Sequence, residues 1–152
     1  VEGLYACGEA TGGMHGADRI GGLSSANGIV FGRIAGAAAA QAAQNTPEAA
    51  LKADITLPQY GIATTDAERL THGLKHTMST YCMINRTETG LSEALHELEG
   101  LKTEATTLST QKAQDSEVAA LARLQSQIRL AQEMVKAMRK RTESLGSHYR
   151  AN

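Results

Sequence analysis

Cysteine is scarce: the chain of 152 residues has only two, Cys7 and Cys82. Neither belongs to a Cys-x-x-Cys spacing, so no zinc site and no disulfide framework is indicated, and both read as buried or idle thiols. An excess of one charge is missing as well. Fifteen Lys and Arg stand against sixteen Asp and Glu, scattered along the chain, for a net charge of -1. No basic stripe is available for phosphate-backbone binding, which argues against a nucleic-acid partner. Long apolar runs are lacking: the longest, Ile34 to Ala40, is too short and too rich in Ala to span a bilayer. No charged segment followed by an apolar one marks a signal peptide, so the cytoplasm is the expected compartment. The chain opens on Val1 and not on Met, in the middle of what reads as a strand, and is expected to be a fragment of a longer polypeptide.

What is present divides into two regions. Gly and Ala dominate the first third, whereas Leu, Glu, Gln, Lys and Thr, the vocabulary of exposed helices, dominate from Ala63 onward. Val1 to Cys7 has the β-branched, aromatic and small apolar residues of a short buried strand, closed by Gly8. A glycine-rich loop follows, and from Ser24 or Ser25, either a natural N-cap, small residues continue at helical density to about Ala43. Asn45 to Ile62 contains both prolines, Pro47 and Pro58, and reads as a connector.

The remainder predicts three amphipathic helices. Thr65 to Glu68 fits a capping box, with Ala67, Leu70, Leu74, Met78 and Tyr81 following on one face. A second stripe begins near Thr87 with Leu91, Leu95, Leu98, Leu101, Ala105 and Leu108. A third begins near Ser116 with Val118, Leu121, Leu124, Ile128, Ala131, Val135 and Met138, and Gly146 is its expected stop. None of these helices can bury its stripe alone, so together they predict a three-helix antiparallel bundle. His72 and His76 lie four apart on the first of them, but no third ligand is near in sequence, and they read as two solvated histidines and not as a metal site.

The loop between strand and helix carries the chemistry. A glycine-rich turn feeding a helix N-terminus presents unpaired backbone N-H groups and the positive end of the helix dipole, which suits a phosphate, a carboxylate or an electron-rich ring edge. It is not a P-loop, since no Gly-Lys-Ser/Thr closes it, and no Gly-x-Gly-x-x-Gly follows the strand. Alone, such a turn is weak evidence for any ligand.

The combination is more specific. "GLYACGEATGGMHGADRIGGLSSANGIVFGR", from Gly3 to Arg33, resembles the segment near the end of the FAD domain in the succinate dehydrogenase and fumarate reductase flavoprotein family, where a "GLYAxGE" strand leads to "HGANRLGGNSL" and "VVFGR". "INRTETGLSEALHELEGLKTE" is similar to that family's C-terminal helical domain, and "RKRTESLGSHYR" to its "ARxESRGAHxR" ending. The resemblance covers nearly the whole chain. It implies a mainly α chain in which residues 1–62 are a strand-loop-helix remnant of the FAD-binding domain with a connector, and residues 63–152 are the helical C-terminal domain.

The resemblance also implies an activity for the longer parent: an FAD-dependent oxidoreductase that interconverts succinate and fumarate or a related dicarboxylate, and passes electrons to an iron-sulfur subunit. Glu9 matches the acid that bonds FAD on its adenosine-ribityl side. Arg19 matches the arginine that clamps a substrate carboxylate, a task suited to a planar bidentate fork. Ser24 matches the serine that contacts the flavin, with Gly22 and Ser25 beside it in the same element. His15 falls on the His-Gly of the loop, where it would shape the site. Asp18 stands where the family usually has Asn, and Leu23 and Ser25 replace the Asn and Leu of "NSL". These departures leave FAD binding in place and the substrate open, with an L-aspartate oxidase or adenylylsulfate reductase relative as alternatives; a separate alternative is that the chain is a helical interaction module of a flavoprotein complex. The dinucleotide-binding motif and the proton-donating arginine of the family lie outside this chain, so the fragment itself is expected to retain no FAD and to be inactive. Its exposed Ala-rich helix would favour a homodimer of the fragment. Association with the inner face of a membrane would come only through partner subunits.

Overall fold

A computed structural model describes residues 3–45, 58–111 and 113–151. The chain divides into two compact units, Val1–Ile55 and Thr56–Asn152, ahead of the 62/63 boundary expected from the sequence. Helices dominate both, with a few two-residue strands in the second.

In the first unit the expected strand does not form over its described residues: Gly3 to Cys7 has no ladder partner, and Leu4 is 72% exposed. A strand is held by a neighbour's N-H and C=O groups, and the described residues of this unit supply none. A single 3-10 turn, Gly8–Thr11, follows, closed by the Thr11 hydroxyl donating to Gly8 O at 2.7 Å. Helix α1 runs Leu23–Gln44, and its N-cap is Gly22, not Ser24 or Ser25. Gly22 turns the chain at φ 85, a left-handed conformation that glycine adopts without Cβ strain, so the loop geometry sets the helix start one residue before the serines. Within α1 only Asn27 is buried. The N-terminal segment lies close to one side of the helix: a Cβ on Gly8 would be 3.6 Å from Gly28 Cα, and one on Gly32 would be 3.7 Å from the Cys7 sulfur. The connector expected over Asn45 to Ile62 falls mostly on residues 46–57, outside the described residues.

The second unit comprises β1 (Tyr60–Gly61), α2 (Thr64–Tyr81), β2 (Asn85–Arg86), α3 (Glu88–Thr107), β3 (Thr110–Gln111), α4 (Asp115–Lys140) and β4 (Tyr149–Arg150). Helices α2, α3 and α4 each pack against the other two. They share one core in which Leu70, Leu91, Leu98, Leu124, Ile128 and Val135 are at most 1% exposed. These are residues of the three stripes read from the sequence. Ile62 joins them at 0% exposure, its N-H donating to Glu117 O at 3.2 Å. β1 pairs antiparallel with β3, and β2 pairs in parallel with β4.

Two expected helix boundaries differ. No Thr65 capping box forms: α2 starts at Thr64 with Ala63 at the N-cap and no side-chain cap, its entry fixed by the pinned Ile62 backbone. Helix α4 stops at Lys140, well before Gly146, which instead turns the chain at φ 60 between Leu145 and His148. Those two residues exchange backbone hydrogen bonds, and β4 then reaches β2, so tertiary pairing of the C-terminal segment wins over continued helix. At the starts of the other helices, Thr87 caps α3 by accepting from Gly90 N-H at 3.0 Å, and Glu117 Oε2 accepts from Gln114 N-H at 2.9 Å ahead of α4.

Candidate functional site

The glycine loop and the first turn of α1 enclose a cleft of about 200 Å³. Glu9, His15, Arg19 and Ser24 all line it, together with Gly13, Asp18 and Asn27. Gly22 and Ser25 do not: Gly22 closes the loop behind the cleft, and Ser25 lies in the helix beyond it.

Charge in this cleft is arranged around Arg19. Its backbone N-H donates to Asp18 Oδ1 at 2.8 Å, which occupies the neighbouring carboxylate with the main chain. The guanidinium itself meets no carboxylate among the described residues and donates only to the Ser24 hydroxyl, at 3.3 Å. Ser24 belongs to the first turn of α1, where backbone N-H groups lack intrahelical acceptors. A free guanidinium beside a helix N-terminus is a site for an anion, and the planar fork favours a carboxylate. Glu9 is exposed at the other side of the loop and offers acceptor oxygens to hydroxyl or amide donors.

Sequence reasoning passed over Asn27. It is 7% exposed, and its Nδ2 lies 2.7 Å from Met14 Sδ and 3.1 Å from His15 Nε2. The signal was available: between Ala26 and Ala40 the only polar side chains are Asn27 and Arg33. A polar residue inside an otherwise small and apolar run marks a place where the helix meets something polar.

The histidine pair of α2 brings no site together. Among the described residues no group of three or more His, Cys, Asp and Glu is placed to hold a metal ion. The C-terminal motif acts inside the second unit instead. Arg150 and Arg139 both reach Glu88, at 2.9 and 2.5 Å, and hold its carboxyl below the usual carboxylate range. Ser144 Oγ accepts from Arg150 N-H at 3.0 Å, and Arg86 lies 3.0 Å from His148 Nδ1. These bonds tie the last residues to the start of α3. Burial pushes the Cys82 thiol above the ordinary thiol value. No helix among the described residues is long and apolar enough to cross a membrane.

Residues 71–152 match the family model described as fumarate reductase flavoprotein C-term. An uncharacterized FAD-dependent oxidoreductase of Methanocaldococcus jannaschii is 32% identical over 156 residues, a match that covers 99% of this chain and 29% of that relative. A probable fumarate reductase of Shewanella frigidimarina is 56% identical over 41 residues, 27% of this chain and 7% of the relative. Fumarate reductase 1 of Saccharomyces cerevisiae is 57% identical over 35 residues, 23% of this chain and 7% of the relative. The chain thus spans less than a third of the length of these relatives. No solved structure matches it significantly.

Proposed function

Since the chain belongs to the fumarate reductase flavoprotein C-terminal family, we propose that it is the C-terminal part of a longer FAD-dependent oxidoreductase acting on fumarate, succinate or a related dicarboxylate. Residues 1–62 then complete the FAD-binding domain, and residues 63–152 form its helical C-terminal domain, an antiparallel bundle of three helices. One observation supports the reading: among the described residues the Arg19 guanidinium has no carboxylate partner, and it lies beside the first turn of α1, within a cleft that also holds Glu9 and His15.

The residues of the cleft suit FAD and a dicarboxylate. Glu9 supplies acceptor oxygens for ligand hydroxyls, and the first turn of α1, with Ser24, supplies donors to an electron-rich ring edge. FAD, when bound, supplies the acceptor or donor of a hydride. Arg19 orients one carboxylate of the substrate by two parallel N-H bonds and neutralises its charge. The proton of the reaction, the remainder of the flavin site and an electron partner such as an iron-sulfur subunit belong to the parent beyond this chain.

The test is an anaerobic assay of the parent with a reduced dye and fumarate, comparing wild type with Arg19→Lys. Lysine keeps the charge and loses the bidentate geometry. Turnover is expected to fall by at least about tenfold, or about 1.4 kcal/mol of transition-state positioning, at unchanged flavin content. Unchanged kinetics would remove the substrate-clamp role.

A further inference from the structure

The Asn27 amide is packed between Met14 and His15, and its Oδ1 is buried with no hydrogen-bond partner among the described residues. An amide of this kind has two orientations, and the partners decide between them. With Nδ2 toward Met14 Sδ and His15 Nε2, both N-H groups have an acceptor, a weak one in the thioether and a good one in the imidazole, and a single carbonyl oxygen is left over. Turned over, the oxygen could accept from a protonated His15 Nε2 but would also face a thioether that has no proton to give, and the two N-H groups would be buried without an acceptor among the described residues. Orphaned N-H groups are the rarer and costlier defect. The first orientation therefore stands, and it requires a lone pair on His15 Nε2.

We propose that Asn27 is a positioning residue that holds His15 in the tautomer protonated on Nδ1. The consequence for chemistry follows from the two distinct ring nitrogens. Nε2 is occupied as an acceptor and is withdrawn from proton transfer, and the ring's one N-H is on Nδ1. Within the reading of the cleft given above, on which this last step rests, His15 is then a hydrogen-bonding wall of the site and not its acid or base. That fits a cleft whose catalytic proton comes from elsewhere in the parent.

The tautomer is directly observable. Imidazole 15N shifts separate a protonated from an unprotonated ring nitrogen, and His15 in the histidine-labelled parent is assigned by its absence from His15→Gln. The spectra are read at alkaline pH, about two units above the usual imidazole pKa of about 6.5. The wild type is expected to show an unprotonated Nε2. Asn27→Ala removes the donor and Asn27→Asp replaces it with an acceptor, so Nε2 should gain its proton in both. A protonated Nε2 in the wild type, or an unprotonated Nε2 that persists in both variants, would overturn the proposal. The shifts are read with or without flavin and without substrate, so this outcome is independent of whether the parent reduces fumarate.

Discussion

Glu88 receives hydrogen bonds from Arg150 and Arg139, which hold its carboxyl below its ordinary value of 4.5. A carboxyl depressed by folding contributes stability above its unfolded pKa, and that contribution is lost as pH falls through the folded value. The melting temperature of the wild type is therefore expected to drop on acidification below about pH 5, and Glu88→Gln should be lower near neutrality with a flatter acid limb. Thermal melts across that range check it; parallel curves would deny the role. Glu9 belongs to a different class of residue, since its carboxylate is exposed at the cleft and meets no ion-pair partner among the described residues. Glu9→Ala in the parent should reduce flavin per mole of protein by removing an acceptor for a ligand donor. Equal flavin absorbance in variant and wild type would show the assignment to be wrong.

At the scale of elements, the helices of the second unit are legible in the sequence and the short pairings between them are not. The stripes through Leu70, Leu98 and Ile128 fix which face turns inward, because a helix period of three and four leaves one choice. Leu98→Ala should cost the second unit about 2–5 kcal/mol, measurable by denaturant unfolding, since it empties a site at 0% exposure. β1 left no such pattern. It is two residues long, and its reason is tertiary: a Cβ on Gly61 would lie 2.7 Å from Glu117 C and 2.8 Å from Val118 N, backbone atoms of the α4 entrance. Gly61→Ala is accordingly expected to destabilise by about 1–3 kcal/mol, although the residue lies in a segment that looks like a linker. The same limit explains the failed expectations. Gly146 as a helix stop and Thr65 as a cap were local readings, and both positions are decided by contacts distant in sequence, those of β4 with β2 and of Ile62 with Glu117. In the cleft, Arg19 and Glu9 were found through a resemblance, whereas Asn27 needed the folded loop, because its meaning comes from Met14 and His15 lying against it.

Across the whole molecule the two units differ in what they have buried. The second has a closed core shared by three helices. The first exposes Ile29 at 74%, Ile34 at 58% and Val30 at 54% along α1, and Gly3 to Cys7 has no strand partner among the described residues. A helix that is apolar all round is normally covered on every side, and the FAD-binding domain of the parent is the proposed cover. The isolated chain should thus be strongly helical by circular dichroism and melt in one main transition that belongs to the second unit. On the proposed function this chain holds only part of a flavin site, and the parent supplies the remainder. A fluorescence titration of FAD tests it most directly, performed on the isolated 152-residue chain and on the parent stripped of its flavin. The account predicts saturable binding by the parent and none by the isolated chain at micromolar FAD; saturable binding by the isolated chain, or none by the parent, would contradict it.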